Sequence, residues 1–194
     1  MSNLKLIHHL GVFVQEDFLS VDQCINIVSE LEKLEVTPVG VVGEDGLYQI
    51  NQEVRKVHQI DASQSSIQLV QKKILTVKDK LEDYFSLQLD SNESLQVLRY
   101  KEGDFYLPHV DTNHGDHQPF HIKKRKTSVV IFLNNLYQGG ALTFYGLIQK
   151  NNWKSYGFPV DGKPGLLLAF SSELIHEVEP VVQGTRYTIV SWFN

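Results

Sequence analysis

The chain has 194 residues, a single cysteine (Cys24) and a formal net charge of −5 at pH 7. That length suits one domain with a sizeable core. The lone cysteine excludes an internal disulfide and a cysteine-based zinc site, and the acidic balance excludes a general attraction to nucleic acid or anionic membranes. No apolar run reaches the length of a membrane span, and the stretch Met1–Lys5 lacks the pattern of a signal peptide. A cytoplasmic single-domain protein is the expectation.

In chain order, Leu6 to Val14 reads as a short strand. Ser20-Val21-Asp22-Gln23 is a capping box that opens a helix to about Leu34. Val21, Cys24, Ile25, Val28, Leu31 and Leu34 keep helical spacing and form its expected buried stripe. Pro38 to Gly46 reads as a loop, and a strand is expected around Lys56–Ile60. From Ala62 to about Phe85, Ile67, Val70, Ile74, Val77, Leu81 and Tyr84 recur at intervals of three and four, the pattern of one long amphipathic helix capped by Asp61 or Ser63.

From Leu95 onward the pattern changes. Leu95–Tyr100, Ser128–Leu133, Ala141–Tyr145, Leu166–Phe170, Leu174–Val178 and Tyr187–Phe193 are short, rich in β-branched or aromatic residues, and separated by Gly and Asn turn signals. Helices followed by many strands predict a mainly β protein, a jelly roll with helices packed on one sheet. The expected organisation is residues 1–94 as an N-terminal strand and helices supporting the sheet, and 95–194 as the jelly-roll core, together one structural domain.

The chemistry concentrates at His109-x-Asp111. In an extended strand, residues two apart share a face, so an imidazole and a carboxylate would project together. His176 is the candidate third ligand. Two His and one carboxylate on one side of a metal leave the other positions open, as in non-haem Fe(II) oxygenases. The plain alternatives are a His176 that is hydrogen-bonded in the core and an Arg186 held in a structural ion pair. The His- and Lys-rich segment Thr112–Lys126 reads as a solvated loop or a lid.

Several pieces occur in one order: Leu98-Arg99-Tyr100 with Gly103, Tyr106-x-x-His109-x-Asp111, Phe132-Leu133-Asn134, Gly139-Gly140-x-Leu142-x-Phe144, His176-Glu177-Val178, and Arg186-Tyr187 with Ser191-Trp192-Phe193. Over residues 95–193 the chain resembles the 2-oxoglutarate- and Fe(II)-dependent dioxygenases of the prolyl 4-hydroxylase type, in their oxygen-sensor-like and bacterial branch. The resemblance implies a double-stranded β-helix in which His109, Asp111 and His176 bind Fe(II). It implies Arg186, ten residues beyond His176, as the cation for the distal carboxylate of 2-oxoglutarate. Tyr100 is implied as a second cosubstrate contact, and Tyr106 and Trp192 as substrate or pocket residues. The sensor enzymes carry a tyrosine where this chain has Phe132, so Tyr100 or Thr143 is expected to replace its hydroxyl. The resemblance further implies O2 as co-reactant, L-ascorbate as reductant, and hydroxylation of an unactivated C–H bond with release of succinate and CO2. A prolyl residue of a protein or peptide is the leading substrate. A free amino acid or small metabolite is the alternative, and a non-catalytic metal-binding jelly roll is the third reading. Trp192, where the related nucleic-acid demethylases place a further arginine, argues against a nucleic-acid substrate. Oligomeric state is not readable from these residues.

Overall fold

The computed structural model describes residues 3–43, 45–150 and 152–194; Met1, Ser2 and Glu44, which fall in the stretches read above as a non-signal N-terminus and a loop, lie outside the described residues. The chain opens with a helix, α1 (Asn3–His9), and the strand that follows, β1 (Phe13–Gln15), is shorter than the one expected over Leu6–Val14. The physical reason is spacing. Leu4, Ile7 and Leu10 lie three apart on one helical face, and all three pack into the core beneath. Gly11, at φ +103, then reverses the chain into β1.

Helix α2 (Val21–Leu31) starts at the expected capping box. The Gln23 amide donates to Ser20 Oγ at 3.1 Å and the Ser20 amide to Gln23 Oε1 at 3.0 Å. Its buried face is Cys24, Ile27 and Leu31, whereas Val21 and Ile25, expected in the stripe, are 55% and 56% exposed. Ser20→Ala removes an amide partner at the helix start and is expected to cost about 1 kcal/mol of stability. The check is a lower urea midpoint with an unchanged m-value; an unmoved midpoint would show that packing alone holds this helix end.

Next come β2 (Val36–Pro38), β3 (Val41–Val42), β4 (Tyr48–Gln49), β5 (Arg55–Lys56) and β6 (His58–Ile60). β3 and β4 pair as a hairpin, so part of the expected loop is a strand. The long helix expected over Ala62–Phe85 is two, α3 (Gln64–Leu75), capped by Ser63, and α4 (Lys78–Phe85). The break lies at Thr76–Val77, where Thr76 Oγ1 donates to the Lys73 carbonyl at 2.7 Å. The apolar stripe runs across it, since Val70, Ile74, Val77 and Leu81 are all buried.

The second half runs β7 (Gln96–Tyr100), β8 (Phe105–His109), α5 (Phe120–Lys124), β9 (Thr127–Phe132), β10 (Tyr137–Gly139), β11 (Leu142–Phe144), β12 (Phe158–Val160), β13 (Leu167–Ser171), β14 (His176–Val178), β15 (Val181–Gly184) and β16 (Arg186–Phe193). The six expected strands are all present, and β8, β10, β12 and β15 are added to them. All pairings are antiparallel. A seven-stranded sheet, β1-β13-β9-β16-β7-β6-β2, faces a five-stranded one, β12-β11-β14-β8-β5. This is the double-stranded β-helix, and strands from the first 94 residues extend both sheets.

The larger sheet is covered on both faces, which explains its nearly continuous apolar strands. Tyr187, Ile189 and Phe193 of β16 join Val129, Ile131, Leu167 and Ala169 in one core with Ile27, Leu31, Val70, Ile74 and Leu81 of the helices. The alternate residues Arg186, Thr188, Val190 and Trp192 face the space between the sheets. The period of two along β16 therefore separates a residue set that holds the helices from one that lines the site.

Candidate active site

Residues of both sheets meet in a small cavity of about 40 Å³ lined by His109, Asp111, His176, Arg186, Tyr100, Tyr106, Thr188 and Trp192 among others. Register brings the two histidines together: β14 lies antiparallel to β8 with His176 opposite His109. Asp111 is not on the strand, as the two-residue spacing predicted. It lies two residues beyond the end of β8, in a turn pinned to the end of β13. The Asp111 and Thr112 amides donate to the Ser172 carbonyl at 2.9 and 3.1 Å, and Arg125 Nη1 donates to the Asp111 carbonyl at 3.3 Å.

One ligand atom from each of His109, Asp111 and His176 lies within 4.8 Å of the others, the sole such cluster among the described residues. His109 Nε2 is 3.8 Å from Asp111 Oδ1 and His176 Nε2 is 3.5 Å from Asp111 Oδ2. A metal with bonds of about 2.0–2.2 Å fits between atoms so spaced. Each Nδ1 donates to a carbonyl of its own chain, His109 to Leu107 at 2.7 Å and His176 to Leu174 at 2.9 Å. Both Nε2 lone pairs are thereby left facing Asp111, because the bond from Nδ1 to a carbonyl fixes the tautomer and the orientation of each ring. Burial, reinforced by His176, pushes the His109 imidazole down to about 3, so it is a neutral donor. Burial alone would raise Asp111, but His176 and His109 outweigh it and hold the carboxyl at about 2.

Arg186 stands across the same cavity, at the start of β16 and opposite Tyr100 of β7. It is 1% exposed. Its guanidinium carbon lies 4.9 Å from the Tyr100 ring centroid and 5.1 Å from that of Phe132. Nη1 donates to Thr188 Oγ1 at 3.4 Å, and the buried Nε has no partner. Gly140 makes room for it: at φ +65, a Cβ there would lie 3.2 Å from Arg186 Cδ. A buried cation without a carboxylate is costly, and among the described residues no ion pair includes Arg186.

Thr143, expected as the hydroxyl that replaces the missing tyrosine, does not reach the cavity; its Oγ1 donates to Glu179 Oε1 at 2.6 Å. Tyr100, the other expected hydroxyl, does line the cavity beside Arg186, and Thr188, two beyond Arg186 on the same strand face, accepts from its Nη1. The Tyr137 hydroxyl is also buried beside Arg186. The Tyr106 ring stacks on His109 with centroids 3.4 Å apart, and burial pushes its hydroxyl up to about 12. Trp192 lies under Arg125 at 3.8 Å, and Arg125 is held bidentately by Glu93 at 2.7 Å through both Nε and Nη2. Neither Arg125 nor Glu93 was singled out in the sequence, because their pairing spans 32 positions and carries no local signal.

Outside the cavity lies a groove of about 260 Å³, bordered by the β3–β4 hairpin, Arg55, Tyr106, Asp111, Asn113, Gln118, Arg125 and Trp192. Gln118 Nε2 donates to the Gly43 carbonyl at 2.8 Å, and a Cβ on Gly46 would lie 1.8 Å from the His117 carbonyl oxygen. The segment after Asp111 therefore leans on the hairpin and roofs the groove. Within that segment His114 pairs with Glu173 at 3.5 Å on the open surface.

Two sheets closed over a His-Asp-His cluster and a buried, unpaired arginine define an oxygenase-type double-stranded β-helix. The chain belongs to the 2OG-Fe(II) oxygenase superfamily, whose family profile matches residues 95–194. It is 25% identical to probable prolyl 4-hydroxylase 7 of Arabidopsis thaliana over 94% of its own length and 62% of the relative's. It is 28% identical to a PKHD-type hydroxylase of Synechococcus sp. (strain CC9902), over 94% of this chain and 77% of that one. The fold is similar to that of a Pseudomonas putida prolyl-4-hydroxylase, with a TM-score of 0.74, 22% identity and full coverage of both chains. It is also similar to a Trichoplax adhaerens prolyl hydroxylase solved with a hypoxia inducible factor peptide fragment, with a TM-score of 0.70 and 18% identity over 98% of this chain and 86% of that one. Among the described residues no helix is long and apolar enough to cross a membrane.

Proposed function

We propose that the protein is a 2-oxoglutarate-dependent hydroxylase that binds Fe(II) through His109, Asp111 and His176, and whose substrate is a prolyl residue of a peptide or protein. The observation that carries the reading is the placement of Arg186, a buried guanidinium with no carboxylate partner, in the same cavity as the three converging ligand atoms. A structural metal site has no need of a second, unpaired cation beside it.

When bound, Fe(II) and 2-oxoglutarate supply the oxidation of a C–H bond by O2, with succinate and CO2 as coproducts. The chain's own residues do the rest. His109, Asp111 and His176 would hold the ion. Arg186 receives the distal carboxylate of the cosubstrate, and Tyr100 and Phe132 wall it off from water. Thr188 and the Tyr137 hydroxyl are placed to complete that contact. Tyr106 and Trp192 stand where the cavity meets the groove and present the substrate to it. L-ascorbate is the reductant proposed for keeping the iron ferrous.

The test is succinate formation from 2-oxoglutarate with Fe(II) and ascorbate, first without substrate and then with proline-containing peptides. Slow uncoupled turnover that rises with a peptide is the expected result. Failure to bind 2-oxoglutarate with a metal in place would sink the reading and leave a metal-binding jelly roll.

A further inference from the structure

A second guanidinium stands at this site, and the steps above leave it idle. Arg55 is on β5, the edge strand beside β8, directly opposite Tyr106. Its guanidinium carbon lies 4.6 Å from the centroid of the Tyr106 ring, the ring that stacks on His109. Nη1 donates to the Gly40 carbonyl at 3.0 Å, and the buried Nε has no partner. Arg55 lines both the cavity and the outer groove, so it sits where the two meet.

Charge distinguishes Arg55 from the other cations nearby. Arg125, across the groove, is neutralised by Glu93. With both bound, a divalent ion and Arg186 would be balanced by Asp111 and a dianionic cosubstrate. Among the described residues no ion pair includes Arg55. Gln96 Oε1, a second groove-lining polar atom, is also buried without a partner. One orphan cation and one orphan acceptor thus border the place where substrate must lie. A partly desolvated arginine fork favours a carboxylate over any neutral acceptor, and an amide oxygen favours an N–H.

Resting on the proposed hydroxylase reading, we propose that Arg55 binds a carboxylate of the substrate, close to the carbon that is hydroxylated, while Gln96 accepts a hydrogen bond from a substrate N–H. The carboxylate is that of a free amino acid, of a peptide C-terminus, or of an acidic side chain beside the target residue. All three present the same group to the same fork.

The experiment measures binding by calorimetry, anaerobically, to the intact protein with Fe(II) and saturating 2-oxoglutarate, which keeps Arg186 occupied. The probes are free L-proline, an N-acetylated dipeptide ending in proline, and an amide-capped peptide with Asp beside proline. Each is compared with its carboxamide counterpart (prolinamide, the dipeptide amide, Asn for Asp). For at least one pair the carboxylate is expected to bind about tenfold or more tightly than the amide, the effect of a charge-assisted hydrogen bond. Arg55→Gln is expected to abolish that preference and Arg55→Lys to restore part of it. The pair that shows the preference identifies the source of the carboxylate. Equal binding of carboxylate and amide in every pair, or a preference that survives Arg55→Gln, would overturn the proposal. Because the readout is binding, absence of turnover with an Arg55-dependent preference intact would instead count against the hydroxylase reading.

Discussion

His176→Ala is expected to abolish metal binding, and with it all turnover of 2-oxoglutarate. The wild-type site offers two imidazole nitrogens and a carboxylate converging from the smaller sheet and the turn that follows β8. Outer-shell partners of metal ligands are worth about 10- to 100-fold in affinity, so loss of a ligand itself should exceed the upper end of that range. Stability supplies a readout that does not depend on activity. A ligand at about a hundred times its Kd stabilises the folded state by about 2.7 kcal/mol. For a chain of this size, that raises Tm by about 5–10 °C. Divalent metal should therefore shift the wild-type melting curve by this amount and leave His176→Ala unmoved. His114→Ala is the control, since His114 lies on the open surface with Glu173 and outside the cluster. A metal-induced shift that persists in His176→Ala and vanishes in His114→Ala would move the site to the roof of the groove and overturn the assignment.

Much of this site was legible because its parts lie on strands whose period is two. Arg186 and Trp192 share a face of β16 with Thr188 and Val190, and the apolar runs of β9 and β13 declared a sheet buried on both sides. His109 and His176 were also legible, but their relation was not: it depends on the register of β14 against β8, and no local pattern sets that register. Asp111 was identified for a reason that fails in detail. It reaches the histidines from a turn held by the Ser172 carbonyl and Arg125, not from an extended strand. Helical periodicity misled where it continued through a break, as at Thr76–Val77, because Val77 is buried on the same side as Ile74 and Leu81. The strand expected at Leu6–Val14 failed for the converse reason, since a short helix can satisfy a mixed pattern when only one of its residues, Ile7, has to be fully buried. Arg55, Gln96, Arg125 and Glu93 carry no sequence signal. An exposed-looking polar residue on an edge strand becomes a site residue only when the fold closes around it.

The second large effect is at Arg186, where two consequences of opposite sign are expected from one substitution. Arg186→Met keeps the stem that passes Gly140 and removes the charge that lies over the Tyr100 and Phe132 rings. Loss of one partner of a buried, hydrogen-bonded charge pair costs about 2–5 kcal/mol, so the 2-oxoglutarate affinity should fall by at least about thirtyfold. Binding of the metal alone should be retained, because none of the three ligand residues is changed. The stability of the protein without cosubstrate should move the other way. In that state the guanidinium is buried, its Nε is unpartnered, and its hydrogen bond to Thr188 is long at 3.4 Å. Replacing such a charge by an apolar side chain of similar volume is often neutral or stabilising. Arg186→Met should therefore melt no lower than wild type alone, yet gain nothing from added 2-oxoglutarate, while Arg186→Lys recovers part of the affinity without the bidentate fork. Unchanged 2-oxoglutarate affinity in Arg186→Met would remove the cosubstrate role from this residue. A large fall in the melting point of the ligand-free variant would show instead that the arginine is held by interactions within the chain and serves the fold.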